Sequence, residues 1–282
     1  MSAIILISND DGYRANGIAS LLNFVQDLGI TYTIAPDQEQ SSCGHALTLH
    51  RPLRVTKEGK HLWSVDGTPT DCVHLGLRST VLPQQPKLVL TGINHGSNLG
   101  DEITYSGTVA GAMEACLLGV PSIAFSCLSA GHSRNDLEAL RLWVHHIVTY
   151  VLKTGLPKGT FLNVNFPDPR RSKIEGLRVT TQGTRVYGAE VVEKSDPRER
   201  RYYWIGGDVI DQPTEPGSDV EAIESGFVSV TPLHLKLTDH KMVTALKQTN
   251  LECNHLASSL LSNNDISDSL QNLTNVIPLE RP

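Results

Sequence analysis

Ala3-Ile4-Ile5-Leu6-Ile7-Ser8-Asn9-Asp10-Asp11-Gly12 is the stretch whose reading decides the fold. Its four consecutive apolar residues, three of them β-branched, predict a strand buried on both faces, as in a parallel sheet. The run breaks off into Asn9, Asp10, Asp11 and Gly12. Asn, Asp and Gly all favour turns, so an ordinary Asx turn accounts for these four residues as simply as a ligand site does. Two adjacent carboxylates nevertheless repel each other unless positive charge sits beside them. Ligands of open α/β sheets collect outside the carboxyl ends of the strands. A pair of hard anionic oxygen donors in that place predicts a divalent cation site.

Working outward, residues 17–28 carry Ile18, Leu21, Leu22, Val25 and Leu28 at helical spacing, with Gly29 in the C′ position. Residues 31–35 predict a second strand, closed by Pro36 and Asp37, which completes a right-handed β-α-β unit. A polar loop over 37–45, with Ser41, Ser42 and Gly44, leads into two alternating runs, 46–55 and 61–65, that predict a hairpin. Thr68, Pro69 and Asp71 match N-cap, N1 and N3 of a helix reaching Arg78. Residues 87–91 predict another buried strand, ending in the glycine-rich stretch 92–101. Ser106-Gly107-Thr108 opens a small-residue helix over 109–118, followed by a strand over 121–126. A long helix starts at Asn135 or Asp136 and reaches Val151. From Thr160 the texture changes to short strands at 161–166, 177–181, 202–205 and 227–232, separated by charged or Pro/Gly-containing stretches. Residues 236–246 suggest a helix, and those beyond about 250, rich in Ser and Asn, a weak amphipathic helix or a mobile tail. The expected architecture is α/β, with a mainly parallel sheet in a core over about 1–160, an irregular β-rich extension over about 161–250, and a tail over 251–282.

Composition narrows the function. A chain of 282 residues, 39% hydrophobic and 19% charged, buries a substantial core as a soluble globular protein. Its net charge of -6 argues against binding large nucleic acids but leaves a small anionic substrate open. The short amino-terminal apolar run lacks a basic flank, which predicts no signal peptide. No stretch approaches the roughly 18 apolar residues of a membrane span. Cysteines 43, 72, 116, 127 and 253 are scattered, with no C-x-x-C, and read as reduced thiols of a cytoplasmic protein. Among the eleven histidines there is no H-E-x-x-H; Walker, dinucleotide and nucleophile-elbow motifs are absent too. The third spaced Asp of a haloacid-dehalogenase-like phosphatase is also missing.

If the sheet is parallel, three strand ends meet on one edge. The first delivers Asp10 and Asp11, the second Ser41 with Ser42, the later one Asn94 and Asn98. Carboxylate, hydroxyl and amide oxygens suit Mg²⁺ or Mn²⁺, whereas thiolate or imidazole sets suit zinc. Singly, Ser41 and Asn94 read as turn residues; their joint placement gives them weight. Ser106-Gly107-Thr108 at a helix amino terminus predicts a phosphate site, a plain Ser or Thr cap being the simpler alternative. The competing classes are a receiver-like Mg²⁺ module and a sugar- or nucleotide-phosphate-binding transferase. The first lacks a phosphoacceptor Asp on a third strand; the second differs in needing an acceptor other than water.

Ser8-Asn9-Asp10-Asp11-Gly12, Ala35-Pro36-Asp37 with Ser41, and Gly67-Thr68-Pro69-Thr70-Asp71-Cys72 resemble the survival protein SurE family. So do Gly92-Ile93-Asn94 with Gly96 and Asn98, and Ser106-Gly107-Thr108-Val109-Ala110-Gly111-Ala112. Later pieces, Asn163-Val164-Asn165, Tyr202-Tyr203-Trp204, residues 219–226 and Val228-Ser229-Val230-Thr231-Pro232, extend the resemblance over roughly 3–240. It implies a metal-dependent 5′/3′-nucleotidase hydrolysing nucleoside monophosphates on a Rossmann-like three-layer core. It also implies one divalent metal (Mg or Mn) per subunit, bound by Asp10, Asp11, Ser41 and Asn94. Asp10 and Asp11 are the implied catalytic pair, and Asn98, Ser106, Gly107 and Thr108 the expected phosphate-binding set. A protruding carboxyl-terminal segment is implied to build a homodimer or homotetramer. Gln40 departs from the family, many of whose members carry Arg there, and the segment after about 250 has no family counterpart.

Overall fold

The computed structural model of the chain describes residues 3–128, 131–171, 173–187, 190–206, 209–211 and 213–249. Two compact units divide it, Met1–Leu235 and Lys236–Pro282. In the first, β1 (Ile4–Ser8), α1 (Asn16–Val25), β2 (Ile30–Pro36), β3 (Val55–Gly59), β4 (Leu62–Val65), α2 (Pro69–Arg78) and β5 (Leu88–His95) follow in order. A 3₁₀ turn (Gly100–Thr104), α3 (Gly107–Leu117), β6 (Ser122–Cys127), α4 (Arg134–Leu137), α5 (Arg141–Thr154) and β7 (Thr160–Phe166) continue the pattern. After them come β8 (Gly176–Val179), β9 (Val186–Tyr187), β10 (Val191–Ser195), β11 (Arg201–Ile205), β12 (Val209–Asp211), α6 (Asp219–Glu224) and β13 (Phe227–His234). The second unit holds α7 (His240–Lys247), which Asp239 caps by accepting the Met242 N–H at 2.9 Å. The expected tail over 251–282 and Cys253 lie outside the described residues.

Nine strands form one sheet in the order β3-β4-β2-β1-β5-β6-β7-β13-β8. The six from β4 to β7 run parallel; β13 turns antiparallel to β7, and β8 lies parallel to β13. Alternation along β1 builds the three layers. Ile5 and Ile7 face Leu21, Phe24 and Val148 of α1 and α5, whereas Leu6 faces Val73 and Ala115 of α2 and α3. Every residue of β1 is buried, as its apolar run requires. Truncating a fully buried Phe such as Phe24 costs about 3–5 kcal/mol in packing and cavity terms.

Some boundaries differ from the sequence reading, each for a physical reason. Helix α1 stops at Val25, and Gly29 is not left-handed; a Cβ there would stand 2.3 Å from the Ala3 carbonyl oxygen, so Gly serves close approach rather than capping. Residues 46–54 form no strand; Asp71 of α2 and its cap Thr68 engage Thr48 and Ala46 instead. The Thr48 N–H and hydroxyl donate to Asp71 at 2.9 and 2.6 Å, and the Thr68 hydroxyl donates to the Ala46 carbonyl at 2.7 Å. Strands β7, β13 and β8 carry the main sheet past the expected division at 160. Among the described residues, only the two-stranded ribbons β10–β11 and β9–β12 stand apart from it. Among the described residues, no helix is long and apolar enough to cross a membrane. The four described cysteines are free, and burial pushes the Cys43 thiol up to about 11 and the Cys127 thiol to about 12.

Candidate active site

Topology dictates where the site lies. From β1 the chain passes by α1, on one face, to β2; later it passes by α2, on the other face, to β5 on the opposite side of β1. The loops leaving β1 and β5 therefore diverge and open a crevice at their carboxyl ends. A cleft of about 570 Å³ lies there, lined among others by Asp10, Ser41, Asn94, Asn98, Tyr105 and Ser106. The sequence-predicted Asp10, Ser41, Asn94 and Asn98 thus meet beside the start of α3, whereas Asp11 does not line the cleft and lies against His95.

Asp10 is 4% exposed, and Thr108 takes both of its carboxylate oxygens. The Thr108 hydroxyl donates to Oδ1, and the Thr108 N–H donates to Oδ2 at 3.1 Å. This approach requires Gly107, where a Cβ would come within 2.9 Å of both Asp10 Cβ and Cys43 Sγ. Burial pushes the Asp10 carboxyl above its usual range, against the pull of the Thr108 hydrogen bonds and the positive end of α3. Asp11 is pushed up to about 6, first by burial and then by the Asp10 charge, with His95 opposing. Its Oδ2 accepts the His95 N–H at 3.3 Å, and its Oδ1 lies 3.5 Å from His95 Nδ1.

Strand β5 runs on through Gly92 to His95, beyond the expected end at Thr91, and so carries Asn94 into the cleft. The Asn94 amide donates to the Gly96 carbonyl at 2.9 Å, which leaves its Oδ1 as the outward group. Ser41 is exposed, and its hydroxyl donates to Glu39 Oε1 at 2.7 Å. Asn98 is clamped: its N–H donates to Asn165 Oδ1 at 2.8 Å and its side-chain amide to Ser126 Oγ at 2.7 Å. Its carbonyl accepts from the amides of Asn163 and Asn165 at 2.8 and 2.9 Å. Of the expected phosphate donors, the Ser106 N–H is spent on the Glu102 carbonyl at 3.2 Å and the Thr108 N–H on Asp10. The Gly107 N–H has no partner among the described residues. The Ser106 hydroxyl caps α3 by accepting the Val109 N–H at 3.1 Å, and its own proton stays available.

Several supporting residues escape a reading by strand ends alone. Glu102 accepts the Leu99 N–H at 3.1 Å and pairs with Arg185 at 2.7 Å; Arg185 also donates to Ser97 at 3.2 Å. Buried Asp219, at the start of α6, accepts the N–H groups of Gly100 and Gly183 at 3.0 and 2.8 Å and fixes the segment leading into α3. The i, i+2 spacing of Asn163 and Asn165 was the available signal for the Asn98 clamp; at Asp219 the family resemblance of residues 219–226 was the signal, and nothing near Arg185 signals its role.

The donor set fits a hard cation. Two carboxylates are crowded and desolvated, and Asn9 Oδ1 nearby is buried without a partner among the described residues. No group of three His, Cys, Asp or Glu side chains able to hold a metal occurs among the described residues. A cation here therefore depends on hydroxyl and amide oxygens as well, the donors that Mg²⁺ and Mn²⁺ accept and zinc disfavours.

Comparison with known proteins bears on the same region. The family described as Survival protein SurE matches residues 5–189. A protein of Geotalea daltonii named 5′-nucleotidase SurE is 50% identical over 244 residues, covering 86% of this chain and 98% of its own length. One of the same name from Geobacter sulfurreducens is 47% identical over 247 residues, 88% of this chain and 94% of its own. The crystal structure of the SurE protein from Aquifex aeolicus superposes with a TM-score of 0.75 at 45% identity, covering 86% of this chain and 98% of that one.

Proposed function

The chain belongs to the survival protein SurE family, and from that premise we propose that it is a metal-dependent nucleotidase hydrolysing nucleoside 5′- and 3′-monophosphates to nucleoside and inorganic phosphate. The observation that carries this reading is the meeting of the buried Asp10 carboxylate, with Asp11 next to it in the chain, and hydroxyl and amide oxygens beside the amino terminus of α3. Asp10, Asp11, Ser41 and Asn94 would hold one Mg²⁺ or Mn²⁺ per subunit. Bound there, the cation supplies positive charge against phosphate oxygens and makes water more acidic.

The remaining work falls to the chain. Thr108 fixes both oxygens of Asp10, so that the carboxylate cannot swing away. The Gly107 N–H, the Ser106 hydroxyl and Asn98 receive phosphate oxygens, and their donors hold charge as it develops in transfer. One of Asp10 and Asp11 acts on the attacking side, as general base toward water or as nucleophile toward phosphorus. Acid quenching during turnover separates the two: a phosphate bound covalently to the chain marks the nucleophile, and its absence marks the base.

The ribbon β10–β11 supports a homodimer or homotetramer. Val192 and Trp204 project from one of its faces and Val191 and Ile205 from the other, all exposed. Apolar residues gathered on an extended ribbon mark a protein contact. A phosphate-release panel over 5′- and 3′-mononucleotides with Mg²⁺, Mn²⁺ or EDTA tests the activity. Release to water in either metal, abolished by EDTA, is expected; no release, or release only with a second acceptor, rejects the reading.

A further inference from the structure

Ser41 and Glu39 stand on the loop that follows β2, and this loop is held at both ends of its working part. The Gln40 N–H donates to the Asp10 carbonyl at 2.8 Å, and the Gly44 N–H to the Tyr105 carbonyl at 2.9 Å. The Ser41 hydroxyl, between these ties, donates to Oε1 of Glu39, just before the first of them, at 2.7 Å, its one hydrogen bond among the described residues. A serine hydroxyl has one proton and two lone pairs. It can ligate a cation only when the lone pairs face the metal and the proton points elsewhere, and a carboxylate is the strongest acceptor available to take that proton.

We propose that Glu39 is a positioning residue that turns the Ser41 hydroxyl so that its oxygen faces the cation, an inference that rests on Ser41 being a ligand. Glu39 acts through Ser41 in the way that an outer-shell carboxylate orients a ligating histidine. Its charge has a second, separable effect. The stretch Asp37-Gln38-Glu39-Gln40 contains no cationic side chain, so this lip of the cleft is negative and favours a divalent ion. Glutamine at position 39 keeps the hydrogen-bond acceptor and removes the charge; alanine removes both.

Calorimetric titration of the full chain with Mn²⁺ alone tests this without any turnover, on the wild type, E39Q, E39A, S41A and the E39A/S41A double variant. Glu39 is exposed, so the single variants keep the fold, which circular dichroism verifies. The Kd is expected to rise about tenfold in E39A and by clearly less in E39Q, since the acceptor is retained and exposed charge is screened at physiological salt. In the S41A background, E39A should add only the charge effect, no more than E39Q costs the wild type. Wild-type affinity in E39A, equal losses in E39A and E39Q, or an undiminished loss in the S41A background overturns the role of Glu39. Wild-type affinity in S41A instead overturns the ligand assignment itself, a different failure.

Discussion

The crevice at the ends of β1 and β5 and the ribbon β10–β11 solve opposite problems. In the crevice, charged and polar groups lie buried: Asp10, Asn98, Ser106 and Thr108 are nearly inaccessible, and most of their polar atoms are claimed by named donors or acceptors. On the ribbon, apolar side chains lie in solvent; Trp204 is 66% exposed and Ile205 91%. Desolvated charge is costly unless something of opposite sign arrives. Exposed apolar surface is costly unless something apolar covers it. The crevice is suited to positive charge and the ribbon to an apolar surface.

The sharpest break in this contrast is Asp10→Asn. It should lower metal-dependent phosphate release on the order of 10³-fold or more while leaving the circular dichroism spectrum unchanged, because the amide still fits the Thr108 cradle. Full activity in that variant removes the catalytic reading of the crevice. Gly107→Ala comes next. The added methyl meets Asp10 Cβ and Cys43 Sγ, so stability should fall by about 1–3 kcal/mol, with turnover impaired beyond what unfolding explains. Thermal melts alongside initial rates measure both. On the ribbon, Trp204→Ser should weaken self-association by about 2 kcal/mol, roughly 30-fold in dissociation constant, with the subunit melting point little changed. Sedimentation velocity over a dilution series reads this directly.

A smaller effect concerns α3, whose amino terminus borders the crevice. Glu114 of α3 is buried and bridges His45 at 2.9 Å and His74 at 2.7 Å. Burial pushes its carboxyl up, but the two histidine hydrogen bonds outweigh that and hold it below the ordinary 4.5. A lowered folded-state value means that its stabilisation is complete above the unfolded value and fades as pH falls through the folded one. Between about pH 5 and 3 the wild type should therefore lose stability faster than Glu114→Gln, and at pH 7 the variant should be weaker by about 1–2 kcal/mol. Parallel melting curves in the two variants would show no such convergence if the bridge contributes nothing.

Much of this was legible before any coordinates. The apolar run from Ile4 to Ile7 and its abrupt polar end give the central strand and the place of the crevice, because a strand buried on both faces has few architectures open to it. The capping box at Thr68 and Asp71 forms as its spacing predicts, with the Asp71 N–H donating to the Thr68 hydroxyl at 3.1 Å and the Thr68 N–H to Asp71 at 2.9 Å. Local rules sufficed for both. What the sequence left dark depends on distant partners. Thr108 reads as a phosphate donor until Asp10, 98 residues earlier, turns out to occupy it. Residues 46–55 read as a strand until Asp71 of α2, well downstream, takes the Thr48 N–H and hydroxyl. Arg185 and Asp219 sit in stretches of no periodicity, and their hold on the segment before α3 spans sequence separations that no local pattern records.

The clamp on Asn98 carries a consequence for synthesis. Its anchors, Asn163 and Asn165, lie 65 and 67 residues further along the chain. At roughly 5–20 residues per second, a ribosome emits them about 3–13 s after Asn98 itself. A nascent chain thus has every acid and hydroxyl of the crevice in hand while one wall still lacks its fastening. A truncation ending before β7 would leave that wall unfastened for good.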